Sequence, residues 1–397
     1  MAVGRHVIAA VAAACLVTAG PLAARPASDP ATARTPLVIG VDDDHAKWLA
    51  RPDGLVAKYR ELGVGAVRVT IGWRGQRRPN RLQGLYVHRA ASLVARGQRV
   101  VLAVFGRPQD APTTDPERRA YCDFLHHVLV RVPFRDVQIW NEANSPQFWP
   151  QAAGPAAYEA LLATCWRRLH GLRRAINVIG TTAAKHDPAG FVRALGAEYR
   201  AHGRTHPLVD TFGHNPYPSH SSEPPWAQHA DPTVIGMSDL PRLLAAIRDG
   251  FAGTAQPLPG ERRTSVWYLE VGFQTTVPRG KRRFYHGTES DAYALPPAVA
   301  ESAEPWVRDQ VRQLRDAVLL ASCQPEVGAV FNFLLLDEDR LVGWQSGLLW
   351  RDGSEKPAFD AFREVVRLVA EGAVDCSAVP GAGGPLPERP APSRPQD

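Results

Sequence analysis

Short runs of apolar residues alternate along the chain with longer stretches in which apolar residues recur every three or four positions. The short runs are continuously apolar, which is typical of strands covered on both faces in a parallel sheet. Eight such strands are predicted, at 37–44, 66–73, 99–106, 137–142, 176–182, 209–217, 265–273 and 328–336. The amphipathic helical stretches between and after them cover 53–63, 85–97, 116–132, 154–175, 187–203, 239–251, 304–323 and 356–372.

Eight strands, each followed by a helix, predict a single-domain α/β protein with the (β/α)8 TIM-barrel fold. The main alternative is an open doubly wound sheet, which usually carries a Gly-rich turn after its first strand. The first predicted strand instead continues into GVDDDHAKW, which contains no such turn. We therefore expect a barrel that spans residues 36–376.

The two ends of the chain differ in composition from the predicted barrel. Residues 1–24 combine a basic start, an apolar stretch and small residues, which is the layout of a secretory signal peptide, and 25–35 are predicted to be a linker. Residues 377–397 are rich in Pro and Gly and are predicted to form a disordered tail. We expect a secreted, extracellular protein without a membrane anchor, because no later stretch reaches transmembrane length.

Four cysteines remain outside the predicted signal peptide. An oxidising compartment favours disulfides, and the absence of CxxC or clustered Cys and His argues against zinc. Cys122 and Cys165 fall on the third and fourth predicted helices, whereas Cys323 and Cys376 follow the seventh and eighth. Each pair would join neighbours in the helix ring, so we predict bridges Cys122–Cys165 and Cys323–Cys376.

Two glutamates interrupt apolar strands near the carboxyl ends, where barrels of this kind build their active sites. Glu142 ends the fourth predicted strand, and Glu270 lies toward the end of the seventh. Burial of an unpaired carboxylate is costly, so both positions indicate a chemical role. Most glycoside hydrolases use two carboxyl groups that face each other across the scissile bond. A divalent-metal site and a structural ion pair with Arg are the alternatives.

The sequence around these glutamates resembles a known group of enzymes. WNEAN at 140–144, with a second Glu on the seventh strand, is similar to the retaining glycoside hydrolases of clan A. WNEANSPQFWP, DTFGHNPYP and WQSGLLWRDGSEKPAFDAF most resemble relatives of glycoside hydrolase family 39, and the similarity covers nearly the whole predicted barrel. The resemblance implies double displacement without a cofactor or metal, with Glu142 as general acid/base and Glu270 as nucleophile.

Further substrate-binding residues are implied by the same resemblance. Asn141 would bind the sugar hydroxyl next to the reacting carbon, and Tyr217 would donate a hydrogen bond to the nucleophile. Arg68 would pair with the nucleophile, and His214 is expected to line the same pocket. A capping amide remains the alternative for Asn141, and an ion pair inside the barrel remains the alternative for Arg68.

Aromatic and acidic residues near other strand ends add to the candidate site. Trp344 follows the eighth strand, where an aromatic ring would stack on the apolar face of a sugar. Trp140 and Trp73 are alternatives for this role, although a Trp beside a strand is more often part of the core. Residues 42–44, which are all Asp, either contact hydroxyl groups or form a solvated cluster at the start of a helix.

The formal net charge of +6 comes mainly from Arg scattered along the chain, so we expect no nucleic-acid partner. The basic cluster RGKRRFYHG at 279–287 lies in a long connection, 274–302, that is predicted to form a lid or cleft wall. It is either a solvated loop or a surface that attracts an acidic or sulfated glycan. The expected partner of the whole site is an oligosaccharide or polysaccharide. A catalytically silent carbohydrate-binding barrel and a transglycosylase remain alternatives to the hydrolase.

Overall fold

The computed structural model describes Met1 and residues 36–220, 223–288 and 305–382, with the backbone alone for 305–309. The predicted signal peptide beyond Met1, the linker at 25–35 and residues 289–302 of the predicted lid lie outside these ranges. The predicted tail is described only as far as residue 382. Within it Val379 is buried, so the packed chain continues past the predicted boundary at 376.

Eight parallel strands close into one barrel, which confirms the predicted (β/α)8 fold. Each strand pairs with the next, and the last pairs with the first, so the sheet has no free edge. The strands are β1 Val38–Asp42, β2 Ala66–Gly72, β3 Arg99–Phe105, β4 Asp136–Ile139, β5 Asn177–Ala183, β6 Thr211–Asn215, β7 Ser265–Val271 and β8 Val327–Phe333.

Eight helices in the described ranges follow the strands in turn. They are α1 Asp53–Leu62, α2 Arg81–Val94, α3 Asp115–Leu129, α4 Gly154–His170, α5 Pro188–Ala201, α6 Leu240–Phe251, α7 Pro305–Ser322 and α8 Pro357–Ala370. A single helical turn, His45–Trp48, precedes α1. The helix α2 begins four residues before the apolar pattern predicts, because Asn80 and Gln83 form a reciprocal capping box at its start.

The interior of the barrel is divided between apolar and polar layers. Ala66, Ile179, Trp267 and Phe331 belong to a buried apolar cluster contributed by β2, β5, β7 and β8. Arg68 lies two residues after Ala66 and therefore points to the same side of β2. The amino-terminal half of the barrel is thus a packed core, whereas its carboxyl-terminal half holds buried polar side chains.

Both predicted disulfides are confirmed. Cys122 and Cys165 join α3 to α4 with a Cα–Cα distance of 4.9 Å. Cys323, just after α7, bonds to Cys376, which follows α8, at a Cα–Cα distance of 5.5 Å. Each bridge therefore joins neighbouring helices of the outer ring. None of the helices in the described ranges is long and apolar enough to cross a bilayer.

Candidate active site

A cleft of about 410 Å³ opens at the carboxyl ends of the strands. This is the end of the barrel at which (β/α)8 enzymes carry out their chemistry. Both carboxylates singled out from the sequence line it, and so do four of the five predicted binding residues. The six are Arg68, Asn141, Glu142, Tyr217, Glu270 and Trp344.

Glu142 reaches the cleft through an unusual turn that directly follows β4. Trp140 and Glu142 have φ angles of 62° and 40°, in the left-handed region that residues other than Gly rarely adopt. The Trp140 ring is fully buried against Trp73 and Trp149, and its Nε1 donates to the Phe148 carbonyl at 2.7 Å. The buried aromatic anchor thus holds the strained turn that directs Asn141 and Glu142 inward, which is a common use of strain at functional sites.

Glu270 is directed into the cleft by an irregularity in β7. Between Tyr268 and Val271, β7 has one residue more than the facing segment of β8, which is the pattern of a β-bulge. Leu269 belongs to the apolar cluster inside the barrel, so strict alternation would turn the next side chain away from it. The bulge interrupts this alternation and allows Glu270 to line the cleft as well.

The two carboxyl groups have different hydrogen-bond environments. An Arg68 nitrogen lies 2.8 Å from Oε1 of Glu270, and the Tyr217 hydroxyl donates to Oε2 of Glu270 at 3.0 Å. These two donors stabilise negative charge on Glu270. The Glu142 carboxyl group accepts a hydrogen bond from Nδ2 of Asn215 at 2.9 Å. Burial, and secondly the negative charge of Glu270, raise the pKa of Glu142 to about 8. Glu142 therefore holds a proton at neutral pH.

Arg68 connects the nucleophile candidate to the strands around it. Its guanidinium is 2 % exposed and pairs with Asp42 at 2.5 Å, while its Nε donates to Gln138 at 2.7 Å. Oδ1 of Asn141 accepts from Gln138 at 2.8 Å and from Arg68 at 3.3 Å. Because its oxygen is held by this network, Asn141 presents its amide nitrogen as the group available to a ligand.

Asp42 pairs with one terminal nitrogen of the Arg68 guanidinium, whereas Glu270 pairs with the other. Burial raises the pKa of Asp42 well above its ordinary value, although the Arg68 guanidinium opposes this shift. Its Oδ2 has no hydrogen-bond partner among the described residues. Asp42 lines the same cleft and holds Arg68 through its other oxygen, Oδ1.

His214 is the predicted site residue that does not line the cleft. It is fully buried, and its Nε2 lies 3.0 Å from the Ile235 carbonyl while its Nδ1 lies 3.0 Å from the Thr182 hydroxyl. Burial lowers the pKa of His214 to about 4, so the ring is neutral. Since side chains alternate along a strand, the neighbouring residue Asn215 faces Glu142 instead. Asn215 was not recognised in the sequence, although it is a strand-end amide two residues before Tyr217.

Aromatic rings form one wall of the cleft. The Trp344 ring lies 4.7 Å from that of Tyr217 and 5.4 Å from that of Phe333, centroid to centroid. Phe333 ends β8 and precedes a cis peptide bond. By contrast, Trp73 and Trp140 are no more than 1 % exposed and belong to the core. Trp344 is thus the one of these three tryptophans that is placed to meet a ligand.

The connection that carries Trp344 is tied down by a buried ion pair. Nζ of Lys356 lies 2.8 Å from Asp337, and both side chains are fully buried. The same Nζ donates to the Gln345 carbonyl at 2.8 Å, next to Trp344. These contacts give the aromatic wall a defined position although it lies on a long loop.

The predicted basic cluster at 279–287 packs beside this connection. Tyr285 donates a hydrogen bond to Asp337 at 2.8 Å, and Lys281 pairs with Asp352 at 2.7 Å. The residues that line the cleft include none from 274–288, the described part of the predicted lid. Among the described residues, no group of three His, Cys, Asp or Glu side chains is arranged to hold a metal ion.

The raised pKa of Glu142 leads to a prediction about pH. If Glu142 acts as the acid, kcat/KM should fall about tenfold per pH unit above a pKa near 8, because the carboxylate form has no proton to donate. Asn215→Ala should move this alkaline limb to higher pH, since its amide stabilises the carboxylate form. A pH profile of kcat/KM measures both effects, and an unchanged limb in the variant would contradict the assignment to Glu142.

Removal of the Tyr217 hydroxyl should slow catalysis more than it weakens binding. Tyr217→Phe loses the hydrogen bond to Glu270 but keeps the ring contact with Trp344. Loss of a hydrogen bond to a charged group should lower kcat by about 10- to 100-fold. Tyr199→Phe is the matched control, because that hydroxyl donates to the His206 carbonyl on the outside of the barrel. Steady-state kinetics would refute the prediction if KM changed and kcat did not.

No protein-family model matches the chain, and no curated protein sequence matches it. Solved structures do match. One is a glycoside hydrolase family 53 catalytic domain from Ignisphaera aggregans, with TM-score 0.57, 16 % identity and coverage of 83 % of this chain and 96 % of that one. Another is a family 5, subfamily 18 structure from Streptomyces cattleya in complex with GlcNAc, with TM-score 0.55, 17 % identity and coverage of 89 % and 87 %.

A third similar structure is a beta-glucosidase from Thermotoga maritima in complex with galacto-hydroximolactam, with TM-score 0.53 and 13 % identity over 82 % of this chain and 87 % of that one. These structures are glycoside hydrolases of clan A, and family 39, which the sequence motifs resemble, is not represented among the three. At such low identities the similarity establishes the fold alone. The chain is therefore a single-domain (β/α)8 barrel with the architecture of these hydrolases.

Proposed function

We propose that the protein is a retaining glycoside hydrolase in which Glu142 is the general acid/base and Glu270 is the nucleophile. One observation carries the proposal. Two carboxyl groups line a single cleft, and they differ in their charged and hydrogen-bonding neighbours. Burial keeps the proton on Glu142, whereas Arg68 and Tyr217 stabilise the charge on Glu270. A double displacement requires a protonated general acid and a negatively charged nucleophile.

In the first step, Glu270 attacks the anomeric carbon while Glu142 gives its proton to the departing glycosidic oxygen. The bond from the sugar to that oxygen breaks, and an ester forms between the sugar and Glu270. Esterification removes the negative charge of Glu270, which is one of the two causes that raise the pKa of Glu142. The pKa of Glu142 should then fall, which suits its second role as a base.

In the second step, water attacks the anomeric carbon as Glu142 takes up its proton, and Glu270 is released. Asn141 is placed beside Glu142, with its amide nitrogen available for the sugar hydroxyl next to the reacting carbon. Trp344 provides an aromatic face for the ring of the bound sugar. The architecture shared with known glycoside hydrolases supports this proposal in general terms.

The proposal is tested with a panel of aryl glycosides and polysaccharides, followed by NMR of the first anomer released from any substrate that is cleaved. Retention requires that the first product has the same anomeric configuration as the substrate. An inverted product would refute the double displacement. Binding without any cleavage by the parent protein would indicate a carbohydrate-binding barrel, and transfer to sugar acceptors in preference to water would indicate a transglycosylase.

We also infer that the protein works outside the reducing cytoplasm. The two disulfides support this inference, because such bonds form and persist mainly in oxidising compartments. The basic, apolar and small-residue pattern of residues 1–24 is in agreement with export. Fractionation of the producing cells tests it, and recovery of the active protein from the cytoplasm with Cys122, Cys165, Cys323 and Cys376 as free thiols would contradict it.

A further inference from the structure

Two basic residues on the connection after β5 line the cleft but take no part in the proposed reaction. Lys185 and His186 are both exposed. Across the described ranges, neither side chain has a hydrogen-bond or ion-pair partner in the protein. The other basic residues that line the cleft have partners, since Arg68 contacts Asp42 and Glu270, and His45 contacts Asp43. Lys185 and His186 therefore keep their donors available to a ligand.

The backbone that presents these two residues is strained. His186 has a φ of 66° and Asp187 a φ of 49°, so two consecutive residues other than Gly adopt the left-handed conformation. Asp187 is the N-cap residue that precedes α5, and its carboxylate accepts from the Gly190 amide at 2.9 Å. Strain of this kind persists only where the surrounding contacts enforce it, and it concentrates at functional sites.

Asn144 supplies the enforcing contacts. Its Nδ2 donates to the Lys185 carbonyl at 2.7 Å, and its Oδ1 accepts from the Ala183 amide at 2.7 Å. Asn144 is the last residue of the WNEAN motif and lies two residues after Glu142. The turn that carries the proposed acid therefore also sets the position of Lys185 and His186 at the rim of the cleft.

No carboxylate of the described cleft forms an ion pair with Lys185. Glu142 holds a proton at neutral pH, and the charge of Glu270 is opposed by Arg68. Asp187 is engaged at the start of α5. An anionic group on a bound sugar would form charge-assisted hydrogen bonds with Lys185, which are stronger than those to a neutral hydroxyl.

We propose that Lys185 and His186 form a subsite for an acidic group of the substrate, either the carboxylate of a uronic acid or a sulfate ester, on a sugar bound beside Glu142. This inference rests on the proposed function, because it assigns the substrate class of the same cleft. Because the inference concerns binding, it is tested in the Glu270→Gln variant. This variant is expected not to cleave its ligand.

The probe is an array of neutral, uronic-acid-containing and sulfated oligosaccharides, and the strongest acidic ligand is then titrated by calorimetry. Lys185→Gln should weaken its binding about 10-fold, whereas Lys185→Arg should retain it. Lys185→Gln combined with His186→Asn should weaken it further, and Asn tolerates the left-handed conformation at 186. The uronic-acid and sulfated members of the array distinguish the two sources of the anion.

Lys58→Gln is the matched control, because it makes the same change of charge on α1 at a residue that does not line the cleft. It should leave binding unchanged. The proposal is overturned if the array shows only neutral ligands or none, or if Lys185→Gln weakens binding no more than Lys58→Gln. Acidic ligands that depend on Lys185 without any glycoside cleavage by the parent protein would instead refute the hydrolase and retain the subsite.

Discussion

Glu270→Gln is expected to reduce kcat/KM for glycoside cleavage by roughly 10⁴- to 10⁶-fold, the range seen when an enzyme loses its nucleophile. The amide cannot form the covalent ester with the sugar, and it leaves the Arg68 guanidinium without one of its two carboxylates. Glu338→Gln is the matched control, because Glu338 is also a cleft carboxylate but its Oε2 accepts from the backbone amide of Trp344. Steady-state kinetics on the best aryl glycoside compare the two.

Azide distinguishes the two glutamates by the product that it forms. In Glu270→Gly, azide can occupy the place of the missing carboxylate and should give a glycosyl azide of inverted configuration. In Glu142→Ala the ester to Glu270 still forms, and azide, which needs no general base, should give a product of retained configuration. Products of the opposite configurations would reverse the two roles, and failure of azide to restore any turnover in either variant would argue against both.

Arg68→Met should cost about 3–5 kcal/mol of unfolding free energy, which is typical of breaking a buried ion pair from one side. The change leaves Asp42 and Glu270 without their shared cation. Activity should also fall by at least about 10²-fold, because Glu270 loses one of the two donors that stabilise its charge. Denaturant titration and steady-state kinetics measure the two effects.

The control for Arg68 is Arg193→Met, which breaks a pair with Asp249 in which both side chains are about half exposed. An exposed pair contributes little, about 1 kcal/mol or less. Asp42→Asn combined with Arg68→Met should recover part of the stability without recovering activity, because Glu270 remains without its arginine. Equal unfolding midpoints for Arg68→Met and Arg193→Met would contradict the structural role of Arg68.

The barrel could be predicted because its pattern is local and repetitive. Strands covered on both faces are continuously apolar, and this distinguishes them from the amphipathic helices that follow. The position of Glu142 at the end of an apolar run indicated the cleft for the same reason, since a charge there interrupts the pattern. The disulfides followed from the order of the helices, because consecutive helices are neighbours in the ring.

The partners of the candidate catalytic residues could not be predicted in this way. Asn215 and His214 are adjacent in sequence, and only the direction in which each side chain leaves β6 decides that Asn215 faces Glu142. Gln138 lies within a strand whose sequence is mostly apolar. It nevertheless accepts a hydrogen bond from Arg68, which lies on another strand. Such pairings join residues far apart in the chain, so no local pattern reports them.

By itself, the sequence determined the (β/α)8 fold, the two pairs of bridged cysteines and the candidate carboxylates, because these depend on periodicity and on the order of elements along the chain. Only the tertiary structure decided that a bulge turns Glu270 into the cleft, that Asn144 ties Lys185 and His186 to the same rim, and that burial raises the pKa of Glu142. Side-chain direction, hydrogen bonding and desolvation arise from neighbours in space, and the folded barrel brings those neighbours together.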